Sequence, residues 1–156
     1  LDLYEGTSKN LKSYDMIPLL FISLTIIAGT FVSGMDAGLV YNNFPYMGDG
    51  IIPIEYGNLG FIDPFENPVS AQFHHRLLAS ITLIIIILYS VYYIMKNPIN
   101  LRILILLFAI ICQFIIGVFT LLYSVPITLG AMHQFGGVLL FLSALWLLHS
   151  PKKNTF

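Results

Sequence analysis

Apolar residues fall along this chain in four long blocks, at about residues 16–34, 72–95, 101–123 and 127–148, separated by polar or proline-bearing segments. Each block has the roughly 17–25 residues that a helix needs to cross a bilayer. Backbone exposed to lipid must satisfy its own hydrogen bonds, so helices are the expected form. Between the second and third blocks the segment KNPIN carries Pro98, which disfavours one continuous helix. Between the third and fourth, YSVP puts Pro126 where a helix starts well. The predicted fold is an all-α membrane protein, a four-helix transmembrane bundle forming one domain over residues 1–156, with a long connection at 35–71.

Composition agrees with this pattern. Hydrophobic residues make up 57% of the chain and charged residues 10%, where a soluble domain carries about 25% charged. A net charge of −1 gives no reason to expect a nucleic-acid partner. The single cysteine, Cys112, lies in an apolar run, offers no intrachain disulfide and reads as a small buried side chain. The chain begins with Leu1, and no basic segment leading into a short apolar stretch and cleavage site is visible there. We expect a later part of a longer polypeptide.

Charge placement gives an orientation. Lys9 and Lys12 precede the first block, Lys96 and Arg102 flank KNPIN, and Lys152 and Lys153 follow the fourth. The long connection holds Asp36, Asp49, Glu55, Asp63 and Glu66 but neither lysine nor arginine. The positive-inside rule therefore puts both termini and KNPIN inside, and the long connection and YSVP outside. Tyr41, Phe44, Tyr46, Phe61 and Phe65 suggest that the connection folds down over the outer mouth of the bundle. An interfacial aromatic belt is the competing reading.

Candidate chemistry lies near the outer ends of the second and fourth blocks. His75 falls about three residues into its block and His133 about six, so the two sit at similar shallow depth. An ionisable residue within a span is costly and normally faces the bundle or a cavity. Ala71, Ala79 and Thr82 share the helical face of His75, whereas Leu77, Leu78 and Ile81 share that of His74. His133 has Gly130, Gly136 and Gly137 as helical neighbours. Two imidazoles at matched depth on small-residue faces are what a six-coordinate haem iron needs as axial ligands. The alternative is interhelical hydrogen bonding with glycines marking close packing. Zinc needs three or four ligands, and only His74 offers a third.

Other polar groups are less specific. Arg76 is placed to bond a haem propionate or to snorkel to a lipid headgroup. Gln113 and Gln134 read as interhelical glue. Asp36, Asn42, Asn43 and Glu66 are outer-loop groups suited to proton handling or substrate binding, with nothing in their spacing to choose between them. His149 and Trp146 read as interfacial side chains.

The stretches SGMDAGLVYNNFPYMGDGIIP, FENPVSAQFHHRLLA and LLYSVPITLGAMHQFGG, in that order, resemble the second half of the haem A synthase family in its mitochondrial and alphaproteobacterial form. The resemblance covers residues 31–140. It implies an eight-helix protein of two similar four-helix halves, each with a histidine pair on its second and fourth helices. His75, before Arg76, and His133, before Gln134, occupy the matching positions. The resemblance further implies that this half binds haem b as an electron-passing cofactor, and that the other half takes haem O, the substrate whose methyl group becomes the formyl group of haem A. The implied catalytic acidic residue belongs to the other half, so no catalytic residue is carried onto this chain. The outer-loop cysteine pairs of some members are absent as well.

The implied setting is a bacterial plasma membrane or a mitochondrial inner membrane. The expected partners are the lipid bilayer, haem O, an unidentified electron donor, and either a missing N-terminal half or a second copy of this chain. Two rivals stand: a non-enzymatic membrane b-type cytochrome with the same ligands, and a haem-free scaffold whose histidines only join helices.

Overall fold

A computed structural model describes residues 13–149. Helix α1 spans Ile17–Gly34, a short α2 spans Asp63–Glu66, and α3, α4 and α5 span Pro68–Lys96, Leu101–Leu122 and Ile127–Leu148. Four of these are long and apolar enough to cross a membrane: α1 with the turn before it, α3, α4 and α5. Lys9, Lys12, Lys152 and Lys153, on which part of the orientation rests, lie outside the described residues.

Local chemistry sets the helix limits. α3 begins at Pro68, four residues ahead of the apolar block, because the Asn67 side chain caps it by accepting from the Val69 N–H at 3.0 Å and Pro68 fits the first helical position. Asn100 caps α4 by accepting from the N–H groups of Arg102 and Ile103. Pro126 immediately precedes α5. The turn before it holds Ser124 and Val125 at φ 57° and 54°. That left-handed region is strained for a β-branched residue. Gly38 of the long connection packs on Val125, where a Cβ would come within 2.9 Å of its Cγ2, and Asn42 donates to the carbonyl of Leu121 at 3.0 Å.

The long helices contact one another in the cyclic order α1, α3, α4, α5, so α3 and α5 stand diagonally. Their hydrophobic core gathers toward the end where α1 starts and α5 finishes. It includes Ile22, Ile86, Tyr89, Ile103, Leu106, Ile110, Leu140 and Leu147. At this end the Tyr89 hydroxyl donates to buried Asp15 at 3.0 Å. Arg102 lies over the Trp146 ring, 5.0 Å from its centroid, and donates to its carbonyl.

Candidate functional site

The opposite end of the bundle, beneath the long connection, has a different interior. His75 is seven residues beyond the start of α3 and His133 six beyond the start of α5, so the early start of α3 brings the two to nearly equal depth. Their rings lie 6.3 Å apart, centroid to centroid, with planes at 83°. Both are half-buried.

Each imidazole rests against a glycine of its neighbouring helix. A Cβ on Gly29 of α1 would come within 3.0 Å of His75 Cε1, and one on Gly117 of α4 within 2.7 Å of His133 Cε1. Only a residue without a side chain lets the rings lie this close to those helices. Four residues before each glycine is the group that meets the ring's Nδ1. On α1 it is the Thr25 carbonyl, 3.1 Å from His75 Nδ1. On α4 it is the Gln113 amide nitrogen, 3.2 Å from His133 Nδ1 and 2.8 Å from the His133 carbonyl. A carbonyl only accepts, so His75 Nδ1 carries the proton and the neutral ring keeps Nε2 free as a ligand. Thr25 Oγ1 bonds Thr82 Oγ1 of α3 at 2.7 Å, which holds this pair of helices in register.

His74 takes no part in this arrangement. Its Nδ1 bonds the Ser70 carbonyl at 2.7 Å and its ring packs on Tyr56 and Phe73. The small residues beside the two central histidines serve helix packing where their contacts are fixed: Thr82 bonds Thr25, and Gly136 and Gly137 admit the Gln113 side chain. Gln134 is exposed, as is His149, whose Nδ1 bonds the Leu145 carbonyl.

Arg76 fastens the connection to α3. Its guanidinium donates to the carbonyls of Tyr41 at 2.6 Å, Asn43 at 3.0 Å and Tyr46 at 3.2 Å, and its buried Nε has no partner. Gln72 donates to the Tyr41 carbonyl as well. Phe44 meets Phe114 of α4 edge-on and Phe65 meets Phe31 of α1, while Phe61 is 97% exposed and Tyr46 53%. Part of the aromatic set therefore covers the bundle, and Phe61 points away from it.

A second polar centre stiffens the connection. Buried Asp63 accepts from the N–H groups of Gly57 and Leu59, from the Asn67 amide and from the Ser70 hydroxyl. Burial alone would raise its pKa, but these donors outweigh it and hold the carboxyl well below the usual carboxylate range. Tyr41 donates to the Glu55 carboxylate, and that bond, aided by burial, pushes its phenol upward. Among the described residues no group of three or more His, Cys, Asp or Glu side chains is placed to hold a metal ion by itself. A metal at the histidine pair would need further donors from a cofactor.

Membrane-length helices that bring two imidazoles together from diagonal positions beneath a fastened polar loop define a class: an integral membrane protein with a paired-histidine centre. A family model described as cytochrome oxidase assembly protein matches residues 4–145, and the chain belongs to that family. Similar curated proteins carry the name haem A synthase. One from Wolbachia pipientis wMel is 39% identical over 153 residues, covering 95% of this chain and 42% of the relative. One from the Wolbachia of Brugia malayi is 43% identical over 147 residues, covering 90% and 42%. One from Rickettsia prowazekii is 37% identical over 146 residues, covering 90% and 43%. The chain thus spans less than half the length of these relatives. No solved structure matches it.

Proposed function

We propose that this chain is the haem-binding second half of a haem A synthase, with His75 and His133 as axial ligands of a haem b iron. The observation that carries the reading is the paired imidazoles in a chain of this family. The ring centroids, 6.3 Å apart, are near enough that one metal ion could take a nitrogen from each imidazole. The Thr25 carbonyl gives His75 the ligand tautomer, and Gly29 and Gly117 seat both rings.

Bound haem b would supply a one-electron iron couple, and two nitrogen ligands leave the iron no open position, which suits electron transfer. The chain's own work is ligation, orientation and exclusion of water. Arg76 Nε is the buried donor still available to a propionate. Oxidation of the haem O methyl group to the formyl group of haem A belongs to the whole protein, the other four helices coming from a preceding half or another copy. Lys96 and Arg102 at one end, against the acidic connection at the other, support termini inside and the histidine pair near the outer face of a bacterial plasma membrane or mitochondrial inner membrane.

The test is an oxidised and reduced absorption spectrum of the detergent-purified chain, with the mass of extracted haem. Low-spin haem b alone is the expected result. Haem O or haem A would place substrate in this half instead, and a colourless protein after haem-replete expression would favour a scaffold. Haem b in a full-length protein that makes no haem A would favour a b-type cytochrome.

A further inference from the structure

The two imidazoles are held by clamps of equal spacing and unequal chemistry. On α1 the residues are Thr25 and Gly29, on α4 Gln113 and Gly117, four apart in each case. The first clamp offers His75 Nδ1 a backbone carbonyl, which can only accept. The second offers His133 Nδ1 a side-chain amide, which presents a donor or, after half a turn about its last torsion, an acceptor. As it stands the amide nitrogen donates, so His133 Nδ1 accepts and the neutral ring carries its proton on Nε2, the wrong nitrogen for a metal bond.

Gln113 Oε1 is meanwhile buried with no hydrogen-bond partner, packed against Gly136, where any Cβ would collide with it. A buried carbonyl oxygen without a donor is costly. Half a turn of the amide brings that oxygen to Nδ1, gives it a proton to accept and frees Nε2. It also gives up the 2.8 Å bond to the His133 carbonyl, so it needs the iron bond at Nε2 to offset that loss. A smaller residue would not reach the ring, and a side chain at position 136 would block the amide.

We propose that Gln113 is the positioning residue for His133, its amide oxygen accepting from Nδ1–H when iron is bound and setting the ring's orientation and electron donation. The inference rests on the bis-histidine reading above. A stronger acceptor at Nδ1 makes the imidazole richer in electrons and favours ferric iron, whereas loss of the acceptor does the reverse.

The experiment measures the midpoint potential and the low-spin electron paramagnetic resonance signal of the haem-loaded full chain. Gln113→Leu should raise the potential and Gln113→Glu should lower it, each with an altered low-spin signal. Thr120→Val serves as control, because its hydroxyl joins the same two helices through the Leu129 carbonyl at 3.3 Å without touching either imidazole. It should leave potential and signal unchanged. Shifts of the same sign from Leu and Glu, or no shift from either, would overturn the proposal and leave haem ligation standing. Should Gln113→Leu not be recovered, the near-isosteric Glu variant decides alone, by a lowered or an unlowered potential. A wild-type chain that takes up no haem would overturn both readings.

Discussion

The two ends of this bundle are built from the same four helices and differ almost entirely in what they put between them. At the end where α1 starts and α5 finishes, Ile86, Ile103 and Leu106 are completely buried and close the interior with branched aliphatic side chains. At the end beneath the connection, the facing positions hold Thr25, His75, Gln113 and His133, and Gly29, Gly117 and Gly136 admit neighbouring side chains where a Cβ would crowd them. In lipid an apolar interior costs little, because the surroundings are equally apolar, whereas a polar interior must be kept paired. On the proposed haem-binding reading, the paired-imidazole end is the part of the fold arranged for chemistry, and the aliphatic end is the part that holds it still.

The glycine seats offer the largest way to break this contrast. Gly117→Leu should push the His133 ring out of place and abolish haem retention, measured as haem per protein after purification. Gly117→Ala should lose more haem than Gly29→Ala, since the added carbon would come within 2.7 Å of one imidazole and 3.0 Å of the other. Equal retention by both alanine variants would mean that the seats do not constrain the rings. At the aliphatic end, Leu106→Ala should cost about 2 kcal/mol of stability, mostly from the cavity, because lipid already solvates apolar side chains. Its haem spectrum should match that of wild type. A spectral change there would show that the two ends are not separate.

The smallest effect concerns the connection. Asp63 has a depressed pKa in the folded protein, so its contribution is present above the ordinary carboxylate range and is lost as pH falls through the folded value. Hydrogen exchange at Gly57 and Leu59, whose N–H groups bond this carboxylate, should stay slow near neutrality and quicken in acid. Asp63→Asn should weaken that dependence. Exchange that is independent of pH in the wild type, after correction for the intrinsic rate, would remove Asp63 as the staple.

Much of the fold was legible in residue order. Four apolar blocks of spanning length gave four helices, and Pro98 and Pro126 marked two of the breaks. The start of α3 was readable too, but from Asn67 and Pro68 rather than from the onset of the apolar run. At the site, the small neighbours of His75 set it apart from His74, and the structure turns these residues to different surroundings, His75 toward His133 and His74 under Tyr56.

Gly29 and Gly117 escaped the sequence reading because their meaning depends on which helices are neighbours. Each is a single glycine in an apolar run until the bundle sets an imidazole against it. Gln113 showed as an amide within a span, but its partner on α5 is twenty residues away and no local rule selects it. From its place beside His75, Arg76 reads as a donor to a haem propionate or to a lipid headgroup. Its attachment to three carbonyls of the connection needs the folded loop.

The most direct measurement is the ferric and ferrous absorption spectrum of three variants beside the wild-type chain, each purified after haem-replete expression. His75→Ala and His133→Ala should lose the low-spin haem signal, and His74→Ala should keep it. Loss from all three alike, or retention in either of the first two, would contradict axial ligation by His75 and His133.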